Sequence, residues 1–283
     1  MALPSDTQKK VDRSIRLLQS AQAGYDGVFE LAYSGGKDSD VILQLAKEAG
    51  IRYRAIYKNT TIDYPGTLRH VKEMGAEIIM PKMKFFDIVA QMGLPNRMKR
   101  FCCGILKEYR YDTSLKKMIT GVRRSEGNDR AKRYTEPTQC RGTKKDPYEA
   151  IYPILDWTDD DILAFILDRN LKLAPVYYNS GGGINVKQRL GCMGCPLLSF
   201  KRRKAALKAN PKLAKCYLRA AKRYWDNHPD SKVREHHADV YEWFARDIFY
   251  PTNALWQRHQ TSLFRTTDYK QALESFFGID MTV

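Results

Sequence analysis

Apolar residues along the first two-thirds of the chain follow two alternating patterns. Short apolar runs bounded by glycine or polar residues predict strands, which cover 28–33, 51–57, 76–80 and 117–120. Apolar residues three or four positions apart predict helices, which cover 38–49, 65–74 and 84–92. This alternation predicts an α/β fold, with a doubly wound, mostly parallel sheet and helices on both faces.

The remaining segments differ in composition. An amphipathic helix is predicted over 11–21, whereas 122–150 is polar and rich in Arg, Gly and Pro, which is typical of a long functional loop. Thr158 precedes three aspartates and is predicted to cap a helix that runs to Arg169. A loop follows over 177–196. We therefore predict an N-terminal helix over 1–25, an α/β domain over 26–196 and a basic helical C-terminal extension over 197–283.

Composition favours a folded cytoplasmic protein. Apolar residues make up 43% of the 283 residues, which is enough for a buried core, so a folded chain is expected rather than a disordered one. No segment has the apolar length that predicts a transmembrane helix or a signal peptide, so we expect a cytoplasmic location and no membrane partner. Disulfides are disfavoured in that reducing compartment, which gives metal or redox roles more weight for the six cysteines.

The charge is strongly positive, with 48 Lys and Arg against 32 Asp and Glu and a net charge of +16. Ten of these cations and no acidic residue lie between Pro196 and Trp225, where Ser199 and Asn210 are predicted to cap helices. Helical spacing predicts an apolar stripe of Ala214, Tyr217, Leu218, Ala221, Tyr224 and Trp225. The cations Lys212, Lys215, Arg219, Lys222 and Arg223 lie on other faces. A cationic face of this kind can follow the phosphate backbone of tRNA or DNA, and a solvated helix surface is the alternative.

A glycine loop joins the first predicted strand to the helix that follows it. It consists of Ser34, Gly35, Gly36, Lys37, Asp38 and Ser39. Two glycines let the backbone fold around an anion with N–H groups pointing inward, and the helix N-terminus adds partial positive charge. Lys37 can neutralise phosphate charge, and Asp38 can hold Mg²⁺. The spacing is too short for a Walker A loop, and a plain strand-to-helix turn is the alternative.

Five motifs, in order along the chain, resemble the ATP-pyrophosphatase superfamily and, within it, the phosphoadenosine phosphosulfate (PAPS) reductase family. They are SGGKDS at 34–39, NTTIDYP at 59–65, GVRRSE at 121–126, PILDWT at 153–158, and PVYY at 175–178 with GCMGCP at 191–196. The resemblance implies an adenine nucleotide alpha-hydrolase-like fold that binds ATP, adenylylsulfate or PAPS. It places the nucleotide at residues 34–39 with Asn59, Gly121, Arg123 and Arg124, and implies that Lys37, Asp38 and Arg123 are catalytic.

Arginines beyond the fourth predicted strand are candidates for anion binding. Arg123, Arg124 and Arg130 follow its carboxyl end, where open α/β sheets bind ligands. A guanidinium suits phosphate or sulfate because it donates two parallel hydrogen bonds. A solvated basic loop is the alternative. Trp157 is a candidate for stacking on adenine or for a buried aromatic anchor.

Four cysteines form the second chemical signal. Cys102 and Cys103 are adjacent, and Cys192 and Cys195 follow far along the chain. Four thiolates can bind a tetrahedral zinc ion or a [4Fe-4S] cluster, and the spacing does not choose between them. The pattern is similar to the cluster-binding cysteines of adenylylsulfate reductases and some sulfur-inserting relatives, which favours the cluster. Zinc and thiol–disulfide chemistry stay open.

A cysteine of the resembled reductases has no counterpart in this sequence. Those enzymes attack sulfur with a cysteine near the C-terminus, and no cysteine follows Cys216, which is predicted to be a packing residue. Either Cys140 or Cys216 serves as the nucleophile instead, or the chemistry differs. Cys140 fits an ordinary thiol better than a sulfur carrier. We therefore expect ATP-dependent adenylation, with release of AMP and pyrophosphate, for sulfur transfer to tRNA or DNA.

Two other functions stay open. One is an adenylylsulfate or PAPS reductase that releases sulfite, and the other is a non-catalytic nucleotide-binding regulator. Besides the adenine nucleotide and the nucleic acid, the expected partners are a sulfur or electron donor protein and a second copy of the chain in a homodimer.

Overall fold

The computed structural model describes residues 3–249 and 268–283. The described residues form a six-stranded sheet. Its strands are β1 (Phe29–Tyr33), β2 (Tyr53–Lys58), β3 (Glu77–Ile79), β4 (Lys117–Ile119), β5 (Thr138–Thr143) and β6 (Asp146–Ile151). Their order is β3-β2-β1-β4-β6-β5, and every neighbouring pair is parallel except β5 with β6. The predicted α/β fold with a mostly parallel sheet is confirmed.

Helices connect and follow these strands. They are α1 (Ser5–Ala23), α2 (Lys37–Ala49), α3 (Thr67–Glu73), α4 (Phe85–Met92), α5 (Phe101–Leu106), α6 (Asn128–Arg133), α7 (Asp159–Asp168), α8 (Phe200–Lys208), α9 (Pro211–Asn227), α10 (Lys232–His236), α11 (Val240–Phe249) and α12 (Tyr269–Phe277). The strands and helices are divided between two compact units.

The first unit contains the sheet. It extends to Asn59 and adds Asp63–Met80 and Tyr109–Gly191. Its core is apolar and buried, and includes Leu31 of β1 and Ile42 of α2. The predicted cap of α7 is confirmed, because Thr158 Oγ1 accepts a hydrogen bond from the Asp161 amide and the Asp161 carboxylate accepts one from the Thr158 amide.

The predicted long loop over 122–150 is wrong. This segment contains α6 and the β5–β6 hairpin, and β6 pairs in parallel with β4. Ala150 and Ile151 are buried in β6, but the residues of β5 are exposed or half-buried. An edge strand needs no apolar face on each side, so its polar composition hid it from the hydrophobic pattern.

The second unit is helical and comprises Thr60–Ile62, Pro81–Glu108 and the described residues from Cys192 onward. The predicted stripe of α9 is buried in its core, except that Tyr224 is half-buried. Ser199 caps α8 as predicted, by accepting a hydrogen bond from the Arg202 amide. Asn210 is the N-cap of α9 and Pro211 is its first residue, as predicted. The Asn210 side chain makes no cap hydrogen bond to α9, and its Nδ2 donates to the Ala206 carbonyl of α8.

The second unit includes Pro81–Glu108, which lies within the α/β domain predicted over 26–196. The three predicted domain boundaries stay a prediction. Within residues 3–249 and 268–283, no helix has the length and apolar character needed to cross a bilayer.

Candidate nucleotide and cysteine sites

The glycine loop lies between the carboxyl end of β1 and the first turn of α2. Gly35 adopts φ +72°, a conformation that favours glycine, and Gly36 is the N-cap of α2. Ser39 closes the first turn, because its Oγ donates to the Gly36 carbonyl at 2.7 Å. The hydroxyls of Ser34 and Ser39 lie 3.2 Å apart across the loop. This arrangement places backbone amides and a helix N-terminus together, as an anion site requires.

Neighbouring side chains would crowd a larger residue at either of the two glycines. A Cβ at Gly35 would lie 3.1 Å from side-chain carbons of Thr67 and Val71, and one at Gly36 would lie 3.2 Å from the Tyr177 hydroxyl. The loop is therefore packed tightly against Thr67, Val71 and Tyr177 of the same unit. This packing distinguishes it from a plain turn, whose glycines need only satisfy φ.

Predicted catalytic side chains meet in a row of alternating charges. Lys37 Nζ lies 2.7 Å from Oδ2 of Asp38, and Arg123 Nε lies 2.8 Å from Oδ1 of the same carboxylate. Arg123 Nη2 lies 2.8 Å from Oδ1 of Asp159. Arg123 also donates to Ser125 Oγ, and its side chain is only 2% exposed. Burial alone would lower the pKa of Arg123, but the two carboxylates raise it.

This geometry suits Arg123 to holding Asp38 rather than to gripping a free anion. Its donors already face carboxylate, hydroxyl and carbonyl oxygens. Gly121 packs on the same turn, since a Cβ there would lie 3.0 Å from the Asp38 carbonyl oxygen. The structure thus brings Lys37, Asp38, Gly121 and Arg123 together, although their roles in nucleotide binding and catalysis stay predictions.

Other predicted residues lie in the same unit with partners of their own. Asn59 directly follows β2, and its backbone N–H donates to the Ile79 carbonyl at 3.0 Å. Arg124 pairs with Asp156 and donates from Nε to the Tyr134 carbonyl at 2.9 Å. Contact of Asn59 or Arg124 with nucleotide therefore stays a prediction.

Burial bears on two alternatives that the sequence leaves open. Trp157 is 2% exposed and packs edge-on against Phe165, with ring centroids 5.4 Å apart, so it serves as a buried anchor. Arg130 is 42% exposed and pairs with Glu126 within its own segment.

Sequence reasoning missed a buried polar cluster formed by His70 and the two residues that flank the glycine loop. The Tyr33 hydroxyl donates to Asp40 Oδ1, and His70 Nε2 lies 2.9 Å from the same oxygen. Burial raises the pKa of the Asp40 carboxyl, against the hydrogen bonds from His70 and Tyr33. The one available signal was the position of Tyr33 and Asp40, immediately before and after residues 34–39.

All four predicted cysteine ligands line one cavity of the second unit. Cys102 and Cys103 come from α5, and Cys192 and Cys195 from the segment before α8. Its other walls are largely apolar and include Ile62, Phe85, Leu106, Pro196 and Tyr217. The Cys102 thiol donates to Cys103, which lowers the pKa of Cys103 and raises that of Cys102. Folding therefore unites the two pairs, as a shared site would require.

Buried hydrogen bonds hold the loop between Cys192 and Cys195. The Tyr217 hydroxyl donates to the Met193 carbonyl at 2.8 Å, and Arg203 Nε donates to the Gly194 carbonyl at 2.9 Å. Gly194 adopts φ +69°. The turn that presents both thiols is thus fixed by α8 and α9.

The chemistry of the donor set fits a four-thiolate group, because four cysteines in an apolar cavity suit zinc or an iron–sulfur cluster. The described part of the chain nevertheless contains no three His, Cys, Asp or Glu side chains close enough to hold a metal ion as they stand. Binding of either metal group at Cys102, Cys103, Cys192 and Cys195 stays a prediction. Cys140 is exposed on β5, and Cys216 is half-buried on α9.

Cations of α8 and α9 divide into two groups. Lys204 lies over the Phe249 ring at 4.5 Å and Lys208 over the Phe276 ring at 5.0 Å, while Lys215 pairs with Asp280. Arg203 and Lys222 complete this first group, paired with Asp247 and Asp226. The other five are exposed, although Arg223 also pairs with Asp87: Lys201, Arg202, Lys212, Arg219 and Arg223. A cationic surface therefore remains available on these helices.

Comparison with known proteins identifies the family. The model of the phosphoadenosine phosphosulfate reductase domain matches residues 29–198. The chain belongs to this family. The match covers the sheet, the glycine loop and all four cavity cysteines, so the resemblance proposed from the sequence is confirmed.

Among the curated relatives is an uncharacterized protein of Methanocaldococcus jannaschii, with 28% identity over 58% of this chain. The chain spans only 40% of that protein. Sulfate adenylyltransferase subunit 2 of Shewanella sp. (strain W3-18-1) is 25% identical over 62% of this chain and 68% of its own.

One solved structure with a similar fold is the U34-tRNA thiolase NcsA of Methanococcus maripaludis, described with its [4Fe-4S] cluster. The match covers 80% of this chain and 81% of that one, at 14% identity and a TM-score of 0.41.

Proposed function

We propose that the protein is an ATP-dependent adenylating enzyme that prepares a nucleic acid for sulfur transfer and carries a [4Fe-4S] cluster at its four cavity cysteines. The observation that carries the proposal is the glycine loop, which is closely packed and includes Lys37 and Asp38. Asp38 forms ion pairs with both Lys37 and Arg123. Family membership supports an adenine nucleotide as the ligand of the loop.

The loop residues suit adenylation because each acts on the phosphates. Amides of the loop and the N-terminus of α2 would hold phosphate oxygens, and Lys37 would neutralise their charge. Asp38, oriented by Arg123, would supply a carboxylate oxygen to Mg²⁺. An oxygen of the substrate would attack the α-phosphorus of ATP, the bond to the bridging oxygen of the β-phosphate would break, and pyrophosphate would leave. A relative named sulfate adenylyltransferase supports this direction of attack.

The carbon that bears the adenylated oxygen would then accept sulfur. Hydrosulfide supplied by a sulfur donor protein would attack that carbon, and AMP would leave with the substrate oxygen. The cluster, when bound by all four thiolates, would have no open iron position, so it would supply structural or electron-transfer chemistry and would not itself hold the sulfide. Cys102, Cys103, Cys192 and Cys195 would be its ligands, with the carbonyls of Met193 and Gly194 kept in place by Tyr217 and Arg203.

Charge supports a nucleic acid as the acceptor. The net charge is +16, and exposed cations of α8 and α9 would contact phosphates without reading base sequence. Both tRNA and DNA fit this chemistry, so the experiment includes each of them.

The decisive experiment measures AMP and pyrophosphate from ATP and Mg²⁺ with tRNA, duplex DNA or neither, after anaerobic purification. We expect stoichiometric AMP and pyrophosphate with one of the polymers. Lys37→Met should abolish this, whereas Lys47→Met, an exposed lysine at the other end of α2, should not. Binding of ATP without AMP formation would instead support a non-catalytic regulator.

A PAPS reductase is the second candidate, because the matched family domain carries that name. It would release sulfite from PAPS or adenylylsulfate with a reduced donor such as thioredoxin, and would need no polymer. Sulfite formation at a rate independent of ATP would select this candidate over adenylation.

A further inference from the structure

Tyr33 and Asp40 flank the glycine loop on its two sides, and a hydrogen bond joins them. Tyr33 is the last residue of β1, and Asp40 lies in the first turn of α2. The Tyr33 hydroxyl donates to Oδ1 of Asp40. Because only residues 34–39 lie between them, this bond closes the two ends of the loop against each other.

His70 of α3 completes the cluster. Its Nε2 lies 2.9 Å from Oδ1 and 3.1 Å from Oδ2 of Asp40, and 3.2 Å from the Tyr33 hydroxyl. Exposure is 3% for Tyr33, 0% for Asp40 and 2% for His70. The polar atoms of Tyr33 and Asp40 are engaged with each other and with His70, so their effect on a nucleotide would pass through the loop.

Burial makes the cluster demanding. A carboxyl group with no exposed surface needs donors, and Asp40 receives them from Tyr33 and His70. Loss of either donor leaves the carboxyl group incompletely satisfied. The first turn of α2 would then gain by moving toward water, and that turn carries Lys37 and Asp38.

A second connection lies inside the first. Ser34 Oγ and Ser39 Oγ are 3.2 Å apart, and Ser39 Oγ donates to the Gly36 carbonyl at 2.7 Å. Two hydrogen bonds therefore cross the loop, one between Tyr33 and Asp40 at its ends and one between Ser34 and Ser39 inside it. Its amides have a fixed direction before any anion arrives, and preorganisation of this kind strengthens binding.

We propose that Asp40 is a positioning residue for nucleotide binding: held by Tyr33 and His70, it fixes the distance between the two ends of the glycine loop. The inference rests on the proposed function, since it takes the loop as the phosphate site. Asp40 itself contacts no nucleotide.

The test compares variants that change one donor at a time. Tyr33→Phe removes only the hydroxyl and should raise the Kd for ATP, measured by calorimetry on folded protein, about tenfold. His70→Leu should do the same. His70→Gln retains an N–H donor in a side chain of similar length and should bind ATP more tightly than His70→Leu. Hydrogen exchange at the amides of 35–40 should be faster in Tyr33→Phe without any nucleotide.

Ser14→Ala is the matched control. Ser14 is 1% exposed, and its Oγ donates to the Pro153 carbonyl at 2.6 Å, so this change also removes one buried hydroxyl of the same unit. It should leave ATP affinity and exchange at 35–40 unchanged. Equal ATP affinity in wild type and Tyr33→Phe, or unchanged exchange at 35–40, overturns the proposal. If the wild type binds no adenine nucleotide, the proposed function fails, and the exchange result still decides whether Asp40 holds the loop.

Discussion

Arg123 reaches Asp38 from the segment after β4, with Nε 2.8 Å from Oδ1. The carboxyl ends of β1 and β4 are neighbours in the sheet, so the segments that follow them meet at one edge. The same guanidinium also holds Asp159, at the start of α7. One buried cation therefore organises two carboxylates from separate segments.

Arg123→Met should reduce both stability and activity. It leaves Asp38 and Asp159 without their shared cation, and we expect a loss of about 2 kcal/mol in the free energy of unfolding. AMP release should fall at least about tenfold, because Asp38 loses its orientation. Arg123→Lys should recover little of this, since an ammonium cannot donate in three fixed directions.

Urea unfolding and AMP assays check this prediction. Arg169→Met is the control, because Arg169 forms a more exposed ion pair with Glu48 in the same unit. The loss in free energy of unfolding caused by Arg169→Met should stay below about 1 kcal/mol. Equal activity of Arg123→Met and Arg169→Met would contradict the role given to Arg123.

Asp161 should make stability depend on acid pH. Burial alone would raise its pKa, but hydrogen bonds from Lys10, Thr158 and Thr7 outweigh it and lower the pKa to about 2. Because the pKa in the folded protein lies below the ordinary value of 3.8, the stabilisation is complete above that ordinary value and is lost as the pH falls through about 2. It amounts to about 2 kcal/mol.

Asp161→Asn should therefore unfold at a lower temperature than wild type at pH 7, with the difference shrinking at pH 3 and below. Thermal unfolding followed by circular dichroism measures both. Asp160→Asn, which changes the exposed neighbouring residue, is the control, and its unfolding temperature should not approach that of the wild type in this way at low pH. A constant difference from pH 7 to pH 2 would mean that Asp161 does not titrate in this way.

Much of the first unit could be predicted because its signals are local. Buried strands such as β1 are short apolar runs, and the cap at Thr158 needs only its own turn. β5 could not be predicted, since its Cys140 and Arg141 lie at a sheet edge where polar residues are tolerated. Its existence depends on pairing with β6, which no local pattern encodes.

The candidate sites divide in the same way. Lys37 and Asp38 stand out because the glycine loop is contiguous, and the approach of Arg123 follows from strand order. The contact of Asp40 with His70 depends on how α3 packs, and a side chain on a helix carries no mark of its distant partner. The four cysteines stand out by type, but only folding shows that they share a cavity.

Cys192→Ser should abolish binding of the cluster. Removal of one of four thiolates leaves an incomplete ligand set, so iron and sulfide should be lost from anaerobically purified protein together with its visible absorption. Cys140→Ser and Cys216→Ser remove thiols that do not line the cavity, and both should retain iron. A zinc-loaded, iron-free wild type would reject the cluster and favour a zinc site.

Gly194→Ala should disturb the cysteine loop without touching a thiol. Gly194 has φ +69°, and its added Cβ would lie 3.0 Å from Leu207 Cδ2 and 3.2 Å from the Tyr217 ring. Strain and crowding should lower the free energy of unfolding by about 1–3 kcal/mol and should lower the metal content. Gly104→Ala, where a Cβ meets nothing within 4 Å, is the control for thermal unfolding and metal analysis. Equal metal content in both variants would show that the loop tolerates the change.

Exposed cations of α9 should set the salt dependence of nucleic-acid binding. Lys212, Arg219 and Arg223 are exposed there, and we expect the triple change to glutamine to weaken binding of tRNA or duplex DNA at every sequence. Each lost phosphate contact should reduce the slope of log affinity against log salt by about 0.9 for duplex DNA. Filter binding at several salt concentrations measures that slope.

The matched control removes the same charge from α1, where Lys9, Arg13 and Arg16 are exposed. Both triple variants lower the net charge by three, so a general effect of charge would change the two slopes equally. A contact surface on α9 would change only its own slope, because counterion release depends on phosphates actually neutralised. Equal slopes for the two variants would reject α9 as the contact surface, and no binding by wild type at low salt would reject a nucleic-acid acceptor altogether.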